Sequence, residues 1–326
     1  MTLKTKFGIT FIPPFPPEKL VEYGRMAEEA GFDTLWIYED SSYSGAFSSA
    51  ATLLAATERI QVGIGILPVP VRNPFYLAME LTTLARLYPG RFLPGFGHGV
   101  DVWMKQVGAF IKSPLNALEE TVTAVRCLLS GEETTLQGSH VHLDRVKLQF
   151  PPGQVPPLYV GGVREKTLRL SGRVGDGTLL TWVSSPAYVR WAGEHINAGV
   201  AEAGKTQHTC GVWAACKVGP DGEAARLPVR RWLAEAIQYG DAHLLPLGIE
   251  EEVPRLFKKY GLEQGIKKMP DAWIDELTAS GTPEQAAATI QRLVDAGANE
   301  VMLGPVENNP ESFKDTVKYL MPLLKG

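Results

Sequence analysis

The stretch 28–40, EEAGFDTLWIYED, holds the unit from which the fold is read. It runs from the end of a helix through Ala30 and Gly31 into a strand, and then to two acids, Glu39 and Asp40, just past the strand. A glycine suits the position after a last helical turn because it accepts left-handed backbone at no steric cost. The same wording returns at 294–303 as VDAGANEVML, again helix, Ala-Gly and strand.

Working outward, strand-like runs alternate with helical patterns along the chain. The runs are FGITFI (7–12), DTLWIY (33–38), IQVGIGIL (60–67), RFLPGF (91–96), PLYVGG (157–162), DGTLLTW (176–182), TCGVWAACKVG (209–219) and EVMLGP (300–305). Helical periodicity fills 17–31, 47–58, 73–90, 114–131, 164–172, 186–203, 222–239, 282–298 and 310–325. Eight strands alternating with helices predict parallel pairing with right-handed crossovers, closed as a (β/α)8 TIM barrel. All 326 residues are expected in one barrel domain with two insertions. One is a hairpin at about 132–156, where TTLQGSHVHLDRVKLQF alternates; the other is 240–276, where helical pieces are broken by glycine and proline.

Composition narrows the function. Apolar content of 44% and charge of 21% suit a globular enzyme with a large core, and a formal net charge of −4 argues against a nucleic-acid partner. No apolar run approaches the roughly 20 residues of a membrane span. The opening residues lead straight into a strand without a signal-peptide pattern, so a cytoplasmic protein is expected. Three cysteines without a CxxC pair predict buried thiols, with neither a disulfide framework nor a zinc site. His140 and His142 alternate on the expected hairpin and would share a face, but no third metal ligand is near in sequence, so no metal is expected.

In such a barrel the strand C-termini face the active site. There the chain places Tyr38-Glu39-Asp40, then Arg72 in the LPVPVRN loop, Gly97-His98-Gly99, Gly161-Gly162-Val163-Arg164, and Thr181-Trp182. Glycines at a strand-to-loop junction let a ligand approach bare backbone. They equally relieve crowding at a barrel corner. GFGHG lacks the spacing of a dinucleotide fingerprint. GGVR before a helix offers amides and an arginine to an anion. Adjacent acids on a strand end diverge, so at most one of Glu39 and Asp40 points into the mouth, as an acid–base group or a ring contact. His98 is expected to be exposed, and Trp103 and Trp182 are candidates to line the mouth.

The runs EEAGFDTLWIYED, VGIGILPVPVRNP, RFLPGFGHGVDVWMKQVG, LYVGGVREKTLRLSGRVGDGTLLTW and SGTPEQAAATIQRLVDAGANEVML together resemble the bacterial-luciferase-like superfamily. Within it, FGITFIPPFPPEKLVEYGRMAEEAGFDTLWI is most similar to methylenetetrahydromethanopterin reductase and its relatives, which use the deazaflavin coenzyme F420 rather than FMN. The resemblance implies a (β/α)8 barrel, often dimeric, with the cofactor ring inward at the strand C-termini and its phosphate outward. It implies a cis peptide at Gly65-Ile66 behind the ring, Gly97, His98 and Gly99 near the tail, and Gly161 and Gly162 beside ring and tail. Arg164 or Arg72 would take the tail, and Trp182 would contact the cofactor. Glu39 falls where the family usually has aspartate, Asp40 where many members have histidine, and Thr10 where the reductases carry glutamate. The expected activity is hydride transfer between F420 and a small organic substrate. The alternatives are an FMN-dependent monooxygenase and a barrel that binds a cofactor without turnover.

Overall fold

The computed structural model describes residues 5–325; Met1–Lys4 and Gly326, at the ends of the expected 1–326 domain, lie outside the described residues. The strands are β1 (Lys6–Phe11), β2 (Thr34–Ile37), β3 (Gln61–Pro68), β4 (Phe92–Gly97), β5 (Thr134–Gln137), β6 (His142–Val146), β7 (Tyr159–Gly161), β8 (Gly177–Leu180), β9 (Thr209–Val218), β10 (Ala279–Gly281) and β11 (Glu300–Pro305). The main helices are α1 (Leu20–Glu29), α2 (Ala46–Ala56), α3 (Pro74–Leu87), α4 (Asp101–Gln106), α5 (Pro114–Leu129), α6 (Glu165–Val174), α7 (Pro186–Glu202), α8 (Gly222–Ile237), α9 (Glu252–Lys268), α10 (Asp271–Leu277) and α11 (Pro283–Asp295), with a closing helical stretch over 313–325.

Parallel pairing runs β1-β2-β3-β4-β7-β8-β9-β11 and returns to β1, so the sheet closes into the expected eight-stranded barrel. The repeated helix–glycine–strand wording has a shared geometry. Gly31 after α1 and Gly297 after α11 both take left-handed backbone, with φ of 81° and 116°. Proline sits at the first turn of α3, α7 and α11, and Asn73, Ser185 and Thr282 cap these helices. Thr282 and Gln285 close a reciprocal capping box on α11.

A ninth parallel strand, β10, was not expected from the sequence. It spans three residues and pairs only with the far end of β9, Ala279 opposite Cys216. A run that short carries no periodicity. Two layers of core result. The outer one, between sheet and helices, holds Leu35, Val62, Phe96, Leu118, Val125 and Val301. The inner one fills the barrel with Trp36, Leu93, Tyr159, Leu179, Trp213 and Met302. Glu300 is fully buried at the start of β11, where Thr34 Oγ1 and Trp36 Nε1 donate to its Oε1 at 2.6 and 2.8 Å. Burial pushes its carboxyl above the usual carboxylate range.

Both interrupted regions differ from the eight-fold repeat. The hairpin is present, with β5 and β6 antiparallel and Leu136 opposite Leu143. The expected histidine pair is not: His142 opens β6 but His140 lies in the turn before it, so they do not share a strand face. That turn is stapled to α5 by the Glu120 carboxylate, which accepts from the backbone N–H groups of Ser139, His140 and Val141 and from the Ser139 hydroxyl at 2.7–2.9 Å. These donors hold Glu120 at a pKa of about 2, against the modest burial that opposes them. Residues 240–276 form a short 3₁₀ turn, α9 and α10, and pack on α8 as a second apolar cluster of Val229, Leu233, Ile237, Phe257, Trp273 and Ile274. Among the described residues no helix is long and apolar enough to cross a membrane.

Candidate active site

The C-terminal ends of the barrel strands surround one cavity of about 740 Å³. That volume suits a ligand of cofactor size. Its lining brings together Glu39, Asp40, Gly65, Ile66, Gly97, His98, Gly99, Gly161, Gly162, Arg164 and Trp182, so eleven of the twelve residues named from sequence meet there. Arg72 is the exception. It does not line the cavity, because its guanidinium is bound by carboxylates behind the wall. It reaches Glu39 through both terminal nitrogens at 2.5 and 2.6 Å and Glu80 at 3.5 Å, and it stacks 5.3 Å from the Phe47 ring. A guanidinium already held by two carboxylates has little charge left for a further anion. The expectation that Arg72 binds a cofactor tail is therefore corrected.

The same contact separates the two acids. Glu39 is anchored by Arg72 and by the Ala46 backbone N–H at 3.3 Å, at the start of α2. Among the described residues Asp40 has no ion-pair partner, and burial pushes its carboxyl above the ordinary range. Asp40 is thus the acid that holds its proton more tightly than in water, and Glu39 is an ion-paired carboxylate of the wall.

Between β3 and β4 the pairing register shifts across Ile64–Leu67, and the Gly65–Ile66 peptide is cis. Ile66 is thereby wedged between two glycines. A Cβ at Gly97 would stand 2.8 Å from Ile66 Cδ1, and one at Gly161 2.8 Å from Ile66 Cγ2. At Gly65 itself a Cβ would overlap the Trp213 indole. These glycines serve close packing around Ile66, which lines the cavity with them. Gly99 serves the loop differently, with left-handed backbone at φ 74°.

His98 is half-buried, not exposed as its glycine neighbours suggested. Its Nε2 lies 3.1 Å from Thr167 Oγ1, in the first turn of α6. Burial lowers its pKa, which favours the neutral ring. Arg164 is the N-terminal cap of α6, is exposed at the cavity edge, and makes no ion pair among the described residues. The Tyr188 hydroxyl donates to the Val163 carbonyl at 2.6 Å and so ties this loop to α7. A free guanidinium and a helix N-terminus of ten residues therefore face one end of the cavity.

Aromatic side chains form the other end. Trp182 follows β8, and the outer edge of its benzene ring lies against Gly304 of β11, where any Cβ would overlap it. The next residue, Val183, has left-handed backbone at φ 61°. For a β-branched residue that costs about 1–3 kcal/mol and persists where packing enforces it. Here the Val183 side chain is buried in the α8–α10 cluster. Trp213 and Trp232 also line the cavity and were not expected to. Trp213 sits on β9 among the buried positions of a barrel strand, and Trp232 sits on α8 where an outer helix is presumed to face solvent. The extra layer of α9 and α10 packs against α8.

The family's sequence profile, described as luciferase-like monooxygenase, matches residues 4–300. The chain belongs to the luciferase-like family. Among curated luciferase-like relatives, the 5,10-methylenetetrahydromethanopterin reductase of Archaeoglobus fulgidus is 29% identical over 98% of this chain and 100% of its own length. The F420-dependent glucose-6-phosphate dehydrogenase of Microbacterium testaceum is 26% identical over 96% and 95%. Among solved structures, the coenzyme F420-dependent tetrahydromethanopterin reductase of Methanopyrus kandleri superposes with a TM-score of 0.84 at 20% identity over 99% of this chain and 100% of that one. An F420-dependent secondary alcohol dehydrogenase bound to an F420-acetone adduct gives 0.81 at 21% identity, over 99% and 100%. At such identities the superpositions show the luciferase-like fold.

Proposed function

We propose that this luciferase-like chain is an oxidoreductase that binds coenzyme F420 at the strand C-termini and transfers a hydride between it and a small organic substrate. The observation that carries the reading is Ile66, packed against Gly97 and Gly161 in the same cavity that Arg164 at the start of α6 and the rings of Trp182, Trp213 and Trp232 line. That arrangement fits a group that is part flat ring and part charged tail. The relatives named for F420 along nearly the whole chain support it.

When bound, the deazaflavin supplies or accepts the hydride, and the protein contributes position, exclusion of water and proton handling. Ile66 and the backbone at Gly65 would support the ring of the bound cofactor. The loop backbone at Gly97–Gly99 and at Gly161–Gly162 would lie beside the tail. Arg164 and the first amides of α6 hold its phosphate by charge-assisted hydrogen bonds. Asp40 gives a proton to, or takes one from, the substrate oxygen or nitrogen as hydride arrives or leaves. Glu39, fixed by Arg72, positions that loop rather than exchanging protons. The departures from the usual Asp-His pair are thereby given separate roles.

The test is titration of the protein with F420 and with FMN, followed by absorbance and fluorescence. F420 is expected to bind at least tenfold tighter. Equal or reversed affinity would favour the FMN-dependent monooxygenase reading, and tight F420 binding without turnover of any donor or acceptor would favour a carrier.

A further inference from the structure

We propose that the substrate half of the cavity selects an uncharged, largely apolar molecule bearing one alcohol or carbonyl oxygen, and turns away sugar phosphates and other anions. This rests on the deazaflavin reading, which assigns the Arg164 end to the cofactor and the aromatic end to the substrate.

The aromatic end is continuous. Tyr38 lies 5.4 Å from Trp213 and 6.3 Å from Trp182, and Trp182 lies 5.7 Å from Trp232, ring centroid to centroid. Ile12 and Val306 extend it on the β1 and β11 side. Three indoles and a phenol offer a large apolar contact area with fixed ring geometry. Their placement is enforced: Gly304 leaves room for Trp182, and the α8–α10 cluster packs behind Trp232.

Charge decides the class. Among the described lining residues the only basic side chains are His98 and Arg164, and both follow β4 and β7. Strands β11 and β1 lie across the barrel from these two, and their neighbour β2 brings Glu39 and Asp40 instead. Cations near that side are already engaged and do not line the cavity. Lys217 reaches Glu307 at 2.6 Å, and Arg226 is paired with Asp275. A phosphate or carboxylate placed there would be desolvated beside carboxyl groups with no compensating donor charge. A cation is not favoured either. Arg72 already pairs with Glu39, and the half-buried surroundings of Asp40 would strip water from an ammonium placed beside it. A neutral oxygen that exchanges a hydrogen bond with Asp40, carried on an apolar body, satisfies both walls.

Four rings of similar shape test this: cyclohexanol, cyclohexanone, cyclohexanecarboxylate and cyclohexylammonium. Their binding is read by tryptophan fluorescence and calorimetry, on the cofactor-free protein and on protein saturated with F420. The two neutral rings are expected to bind at least tenfold tighter than either ion. Trp232→Ala should weaken the neutral rings at least tenfold. Val306→Lys, which adds a cation at the mouth without removing an aromatic residue, should strengthen the carboxylate at least tenfold. Tighter or equal binding of the carboxylate, preference for the ammonium, binding of none of the rings, or an unchanged order in Val306→Lys would each overturn the proposal. Failure of F420 itself to bind would count against the cofactor reading alone, because the order of the rings is also read without it.

Discussion

Asp40 and Glu39 are neighbours in sequence but not in chemistry. Glu39 is bound by Arg72 on two oxygens, whereas Asp40 is half-buried without a cation. The folded-state pKa of Asp40 is raised, so the folded chain holds this proton more tightly than the unfolded chain does. Stability therefore falls as pH climbs from the ordinary carboxylate range through the raised pKa. Asp40→Asn should accordingly stabilise the fold at neutral pH and leave it unchanged in acid, as measured by thermal melts across pH. The same variant should slow hydride transfer about 10²–10⁴-fold and remove the pH dependence that this carboxyl imposes. A variant with wild-type rates would take Asp40 out of the reaction. Gly97→Val tests the floor. Its Cβ meets Ile66, so F420 affinity should fall at least tenfold while the circular dichroism of the barrel persists; unchanged affinity would detach this strand end from the site. Residue identity at the rim was legible because glycines and acids past strand ends are rare in a core. The pairing of Arg72 was not, since the partner acid lies 33 positions away and only the fold brings them together.

At the scale of elements, the hairpin and α6 make separate predictions. Glu120 joins α5 to the turn at 139–141 with a pKa of about 2. A depressed carboxylate contributes stability that is present above its unfolded pKa and lost as pH falls toward 2. Glu120→Gln should speed amide hydrogen exchange of Ser139, His140 and Val141 at neutral pH without changing exchange in the barrel strands. Protection equal to wild type would mean that the hairpin is held by its apolar residues alone. Arg164→Gln should weaken F420 about tenfold and flatten the salt dependence of its binding, since one charge-assisted contact to phosphate is worth about 1.5–3 kcal/mol. Long elements were legible from periodicity. Alternation revealed β5 and β6, and helical spacing with Pro and Gly at the ends revealed α3, α5, α7 and α11. What escaped was shorter than one period or set by tertiary neighbours: three-residue β10, the placement of His140 in a turn, and the full burial of the Glu300 carboxyl, which reads as an ordinary acid beside Asn299.

At the scale of the molecule, closure of eight parallel strands gathers side chains from distant parts of the sequence onto one rim. The extra layer of α9 and α10 packs against α8, the helix that brings Trp232 to the cavity. The breakers in 240–276 announced an insertion, and its apolar residues announced packing, but only the folded chain shows which side of the barrel it covers. The central claim is that ring and tail lie along this rim, backed by Ile66 and ended by Arg164. A crystal structure of the protein grown with F420 tests that directly. The account predicts density for the ring against Ile66, with the phosphate within hydrogen-bond distance of Arg164 and the first amides of α6. Density for F420 at any other place on the molecule, with the rim filled only by solvent, would contradict it.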